Sequence, residues 1–306
     1  AAQANVVYLN GLVMEGVVAA RLLRRRPVAV KVVGDLIWEK ARNANATSLD
    51  IDAFQVAPVS AAWRFLRWLQ RFYTGYVDAV IVPSGYLAGI VSRWGVRARR
   101  IHTIYNAVAP AAKEVEGKND TTKWDVVVVA RLVPWKGLIE VLEAVAAIGK
   151  SLKIVGDGPM RSELEALAQK LNAHVTFTGH VEHSQVAQEI RSARLFVLNS
   201  SYEGLPHIVL EAKSAGVPVL ATRVGGTPET IDHDINGWLI EVGDSAALRE
   251  ALEQLLSDPV LLARLAAGGV EQMKTRFSFE AMVDGTEAVL RDVAIPGCDA
   301  VRQRSL

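Results

Sequence analysis

The 306-residue sequence predicts an α/β protein made of two doubly wound, Rossmann-like domains. Three observations carry this. Short β-branched runs alternate with helical patterns from one end of the chain to the other. The runs are apolar at successive positions, as in parallel sheets buried on both faces. The charge also changes sign along the chain: residues 1–115 hold 15 Lys/Arg against 7 Asp/Glu, and residues 116–306 hold 19 against 26. At roughly 150 residues per domain the length fits two.

In chain order, strands are expected over 6–9, 28–33, 79–82 and 101–105, with helices over 14–25, 61–74 and 86–94 between them. The second half repeats the pattern. Strands fall over 125–130, 152–155, 175–178, 195–199, 217–221 and 237–240. Helices fall over 137–148, 159–171, 185–192, 206–215, 228–231 and 245–256. The most polar connecting stretch is 109–123, so the boundary is placed at 115/116, giving domains 1–115 and 116–285 and a C-terminal tail or helix 286–306 directed back to the first.

Composition excludes several classes. Half the residues are hydrophobic and 22% are charged, which is globular rather than disordered. No uninterrupted apolar run approaches the ~18 residues of a membrane span. The opening AAQANVVYLNG lacks a basic region leading into an apolar one, so no signal peptide is expected. Cys298 is the single cysteine, which excludes an intrachain disulfide or a thiolate zinc site and points to a reducing compartment. His180 and His183 alone among six histidines have close ligand spacing, and no third ligand accompanies them, so no metal site is expected. The expectation is a cytoplasmic protein.

In parallel sheets ligands bind beyond the carboxyl ends of the strands. Four such ends carry glycine, proline and charge together: Arg131 to Lys136-Gly137, Gly156-Asp157-Gly158-Pro159, Glu203-Gly204-Leu205-Pro206, and Gly225-Gly226 before Thr227-Pro228-Glu229. Pro206 suits the start of a helix whose free N–H groups favour an anion, most naturally a phosphate. Arg131 and Lys136 could charge-pair the same anion. Glu211 lies in the early turns of that helix, where a carboxylate could accept from ribose hydroxyls. Gly225 and Gly226 would let a ligand approach the backbone. Together these describe a nucleotide-diphosphate pocket with an attached group near Glu203. Taken singly each could be a solvated charge or an ordinary turn, and spacing alone does not name the ligand.

The stretch SSYEGLPHIVLEAKSAGVPVLATRVGGTPE (200–229), with Glu203-x7-Glu211, resembles the donor-site motif of retaining GT-B glycosyltransferases of the family-4 type. ARLVPWKG, IVGDGP, FTGHV and HDINGWLI match further segments in the same order, and VDAVIVPSGYLAGIVSRWGV and IHTIYNAV resemble the first domain. The resemblance implies two domains facing across a cleft and transfer of a hexosyl group from a UDP- or GDP-linked sugar to a glycan or lipid-linked acceptor, of the cell envelope in particular. It implies retention of configuration, no metal, and no cofactor beyond the nucleotide-sugar co-substrate. Arg131 and Lys136 would hold the diphosphate with the backbone of Gly204 and Leu205, Glu203 would touch the transferred sugar, and Glu211 the ribose. The segment around His180 and Val181 would face the base, and Gly156, Asp157, Gly225 and Gly226 would line the donor pocket. Asp35, Ser84 and Asn106 would lie on the acceptor side.

The chain departs from the family in three places. Members open with a strand and Gly-rich loop, whereas this sequence begins several elements later, at residues 5–9, so its first domain is expected to be a third to a half short. Gly34-Asp35 stands where many members have His-Asp, and Asn106-Ala107 where Asn-Gly is usual. A nucleotide-sugar epimerase, or a non-catalytic nucleotide-sugar-binding protein on the same frame, stays open. A NAD-dependent dehydrogenase does not, because Gly11 and Gly16 lack the Gly-x-Gly-x-x-Gly spacing.

The basic first half suggests association with an anionic membrane surface, at the inner face of the membrane. Arg64, Arg67 and Arg71 recur at helical spacing, flanked by Trp63, Phe65, Trp68 and Phe72, with more charge at Arg24, Arg25 and Arg26. The alternative is a solvated arginine face with the aromatics packed on the sheet. Nucleic acid is not expected, because no recognition module accompanies the arginines.

Overall fold

A computed structural model describes residues 5–11, 14–18, 26–44, 46–108 and 123–294. The chain divides into two compact units, Ala1–Asn106 with Glu280–Leu306, and Ala107–Phe279. The divisions at 106/107 and 279/280 differ from the 115/116 and 285/286 read from composition. Arg24, Arg25, Cys298 and the linker stretch 109–122 lie outside the described residues.

In the first unit the elements run β1 (Val7–Asn10), α1 (Met14–Val18), β2 (Val28–Lys31), α2 (Leu36–Asn43), α3 (Ile51–Val56), α4 (Ala61–Thr74), β3 (Ala79–Val82), α5 (Gly85–Arg93) and β4 (Ile101–Thr103). Helix α2 caps on Asp35 and α3 on Asp50, each through a side chain that accepts from the first-turn backbone. The sheet is parallel in the order β1-β2-β3-β4, with Val7 opposite Val28, Val30 opposite Val80, and Val80 opposite Ile101. Val28 to Val30 and Ala79 to Val82 are buried on both faces, which is why their sequence is continuously apolar.

The second unit holds β5 (Trp124–Val129), α6 (Leu138–Ala147), β6 (Leu152–Val155), α7 (Arg161–Lys170), β7 (Val175–Gly179), α8 (His183–Arg191) and β8 (Ala193–Leu198). It continues through α9 (His207–Ser214), β9 (Val219–Thr222), β10 (Trp238–Ile240), α10 (Ser245–Ser257) and α11 (Pro259–Thr275). The final helix α12 (Phe279–Val293) belongs almost wholly to the first unit, where Val289 packs on Ala29, Ala79 and Ile81.

The second sheet is parallel throughout, in the order β10-β9-β8-β5-β6-β7. Alternation along the strands fills two layers. Val126, Val128, Leu195 and Val197 enter one core, and Val127, Phe196 and Leu198 enter the other. The strand order reverses at β5, so the carboxyl ends of β5 and β8 flank the topological switch point, where doubly wound sheets bind ligands.

The arginine stripe of α4 divides in two. Arg67 turns inward, donating to the carbonyls of Ala57 (2.9 Å) and Gln55, with its guanidinium 5.3 Å from the Phe54 ring centre. Arg64 and Arg71 stay exposed. Phe65, Trp68 and Phe72 also face solvent rather than the sheet.

Candidate active site

The two loops at the switch point are stitched by glycine and amide chemistry. After β5 the chain makes a 3₁₀ turn, Pro134–Lys136, and leaves it through Gly137 at φ 60. A side chain there would stand 2.3 Å from the Asn199 carbonyl, so the position requires glycine for space as well as for conformation. Asn199 Nδ2 donates to the Gly137 carbonyl at 3.1 Å, and the Ser201 N–H to the Trp135 carbonyl at 2.8 Å. This brings Lys136 and Glu203 together: Nζ donates to Oε1 at 2.5 Å, with side chains only 19% and 12% exposed.

A third loop fixes Glu203 from behind. Gly225, at φ 55, lies so close that a Cβ would stand 1.9 Å from the Glu203 carbonyl oxygen, and the Gly226 N–H donates to that oxygen at 2.9 Å. The space on the Cβ side of Gly225 is therefore taken by the backbone of Glu203, and the glycine pair fixes that backbone.

The Gly156-Asp157-Gly158 turn has the same kind of role. A Cβ on Gly156 would meet the Ala130 carbonyl at 2.0 Å, and one on Gly158 the Leu132 carbonyl at 2.4 Å. Ala130 donates to Val155, and Leu132 to Asp157, each at 3.0 Å. The turn thus presses the β5 loop into place, and the exposed Asp157 carboxylate accepts from the next N–H at 2.7 Å.

Arg131 shares the β5 strand end with Lys136. It is exposed, and among the described residues its side chain makes no hydrogen bond or ion pair, so it remains available to an anion. Leu205 is buried, and Pro206 (φ −75) precedes α9, which begins at His207 rather than at the proline. Glu211 sits one turn in, half-buried. Burial pushes its carboxyl above the usual range, opposed by the nearby His183. His180 is exposed just beyond β7, while Val181 packs into the second core cluster.

Two acceptor-side expectations give way to helix capping. Asp35, 2% exposed, accepts from the N–H groups of Ile37 and Trp38 through Oδ1, and from Gln55 Nε2 through Oδ2 at 2.7 Å. Ser84 is buried and its Oγ accepts from the Leu87 N–H as the cap of α5. Asn106 is buried at the end of the first unit. Among the described residues no three His, Cys, Asp or Glu side chains are grouped to hold a metal ion.

Sequence reasoning missed the support behind α9. Lys213 is 1% exposed and donates to Asn236 Oδ1 and Gln272 Oε1, each at 2.7 Å, and to the Thr230 carbonyl. Asp232 accepts from Asn236 at 2.8 Å and from Gln272 at 3.2 Å. Burial pulls the Lys213 ammonium down to about 7, against the opposing charge of Asp232. The signal was present: Lys213 follows Val209 and Leu210 at helical spacing and so lies on their buried face.

The fold and this constellation define a GT-B glycosyltransferase. A family model for glycosyl transferases group 1 matches residues 111–272, and one for glycosyltransferase family 4 matches residues 38–112. The chain belongs to the family-4 GT-B glycosyltransferases.

Among its relatives, the lipopolysaccharide core biosynthesis glycosyltransferase LpsD of Rhizobium meliloti is 34% identical over 220 residues, which are 70% of this chain and 63% of LpsD. A GDP-mannose-dependent monoacylated alpha-(1-6)-phosphatidylinositol monomannoside mannosyltransferase of Corynebacterium glutamicum is 30% identical over 64% of this chain and 54% of its own length. The crystal structure of Anabaena HepE in complex with UDP superimposes with a TM-score of 0.72 at 20% identity, covering 92% of this chain and 78% of HepE. The chain thus spans less than two thirds of the length of these two curated relatives. No helix among the described residues is long and apolar enough to cross a membrane.

Proposed function

We propose that the protein transfers a hexosyl group from a UDP- or GDP-linked sugar to a glycan or lipid-linked acceptor, with retention and without a bound metal. The observation that carries this reading is the Lys136–Glu203 pair, held at the switch point beside the free side chain of Arg131. The relatives' names favour the acceptor class, since one acts in lipopolysaccharide core biosynthesis and another on a phosphatidylinositol mannoside.

In the reaction the bond from the sugar's anomeric carbon to the β-phosphate oxygen breaks, and a bond from the same carbon to the acceptor oxygen forms. The acceptor proton passes to the departing diphosphate. Charge develops on that diphosphate, so preorganised cations at Arg131 and Lys136 lower the barrier without any side chain forming a covalent intermediate. Glu203, released from Lys136 as the diphosphate takes the ammonium, is placed to accept from hydroxyls of the transferred sugar. Glu211, raised by burial, gains hydrogen-bond partners when ribose arrives.

The test is a thermal-shift panel of UDP, GDP, ADP and their sugars, followed by transfer assays in excess EDTA. One nucleotide series should stabilise the protein according to ligand concentration over Kd. Binding without transfer to any glycan or lipid-linked acceptor would favour a nucleotide-sugar-binding role instead. Activity abolished by EDTA and restored by Mg²⁺ or Mn²⁺ would remove the metal-free mechanism.

A further inference from the structure

We propose that the outer face of α4 docks on an anionic phospholipid bilayer, with a lipid phosphate entering the pocket between Arg64 and Arg71. The helix carries its apolar bulk on the wrong side for a core. Gln70, Tyr73 and Thr74 face inward, while Phe65, Trp68 and Phe72 are 57%, 54% and 48% exposed. Phe65, Trp68 and Phe72 stack in succession, with ring centres 5.8 and 5.4 Å apart, and Tyr76 meets Phe72 edge-on at 5.1 Å. Val56, 81% exposed, ends the short helix α3 that precedes it.

Charge selects the occupant. Residues 53–77 contain three arginines and no Asp, Glu or Lys. Arg64 and Arg71 make no side-chain hydrogen bond or ion pair among the described residues. A pocket of about 360 Å³ lies beside them, with Ala57, Pro58 and Val59 as an apolar wall and Arg67 and Trp68 completing it. Arg67 is committed to the carbonyls of Gln55 and Ala57, so it holds the pocket's shape while its two neighbours supply mobile charge.

A second copy of the chain meeting this face symmetrically would set arginine against arginine with no carboxylate to answer, which disfavours self-association. A bilayer with anionic headgroups meets every feature. Aromatic rings of this type favour the headgroup level, long arginines reach phosphates while their stems stay in the apolar layer, and an amphipathic helix lies in that plane.

The experiment is flotation with vesicles of phosphatidylcholine, and of phosphatidylcholine with about a quarter phosphatidylglycerol. It uses the full chain, with no donor present, so its outcome is separate from that of the transfer assays. Binding should appear on the anionic vesicles and fade at high salt. It should fall about 30-fold in an Arg64→Gln/Arg71→Gln variant, at about fivefold per arginine. Those side chains are unpaired, so the variant's thermal midpoint should not move. Acyl-brominated lipid should quench tryptophan emission in the wild type and much less in Trp68→Phe. Equal partition onto neutral and anionic vesicles, full binding by the double variant, or no binding at low salt overturns the proposal. So does a concentration-dependent dimer that Trp68→Ser dissolves, since it would assign the face to a second copy.

Discussion

Lys136 and Glu203 come from different strand ends and neutralise each other across 2.5 Å. On the proposed function, a donor diphosphate would compete with that carboxylate for the ammonium, and its binding would be an exchange of partners rather than the occupation of an idle cation.

The first prediction follows from that exchange. Lys136→Ala and Arg131→Ala should each lower transfer by ~10²-fold, the scale for losing a group that stabilises developing charge. Steady-state kinetics on the purified variants measures it, and unchanged turnover in both would withdraw the assignment. Glu203→Gln should tighten the binding of the bare nucleoside diphosphate, because it removes the competitor while keeping the shape; calorimetric titration reads this directly.

The two glutamates should separate kinetically. Glu211→Ala should raise the donor KM with little change in kcat, as expected for loss of uniform binding. Glu203→Ala should act chiefly on kcat. Equal loss of nucleotide affinity in both variants would contradict this division.

Gly225→Ala should harm function out of proportion to its size. A β-carbon meets the Glu203 carbonyl at 1.9 Å, and the backbone there is left-handed. Such strain costs about 1–3 kcal/mol, and the cheapest relief is displacement of Glu203. The expected outcome is a lowered kcat in a protein that still folds, read by kinetics alongside circular dichroism.

Lys213 gives a pH dependence with a defined sign. Its native value is pulled from 10.5 to about 7, so between those values the unfolded chain holds more protons than the folded one. Stability should therefore rise with pH across that window, by at most about 1.4 kcal/mol per pH unit from this group, and be flat in this respect below it. The midpoint difference between wild type and Lys213→Met should widen in favour of the wild type from pH 7 to higher values. A constant difference would show that Lys213 stays charged throughout.

The strands were legible because Val126 to Val128 and Ala79 to Val82 must be apolar on both faces. Their ends were legible because glycine and charge follow at once. Three helices were not, nor was the start of a fourth. Helix α11 contains Gly268-Gly269, and glycine is a poor helix former. In the fold, side chains there would meet the Ile235 carbonyl at 2.3 Å and the Lys213 side chain at 3.1 Å, so the glycines serve close packing inside a continuous helix. Helices α2 and α3 are short, and the Asp35 cap of the first was read as acceptor chemistry. Helix α12 is expected as a tail or helix over 286–306 directed back to the first domain, but it begins earlier, at Phe279, in a stretch without a breaker to mark its start. Of the site, the charged residues were visible. What the glycines touch was not, because close approach of two backbones leaves no periodic trace in sequence.

The return of α12 to the first sheet sets an order of events during synthesis. Ala29, Ala79 and Ile81 emerge from the ribosome before Ala107–Phe279, but the helix that covers them is made only after the whole of that segment. At 5–20 residues per second that interval is roughly ten to thirty-five seconds. The first unit therefore closes only after the second has been made, and its sheet must wait, with one face incomplete, while Ala107–Phe279 is already able to close on its own core.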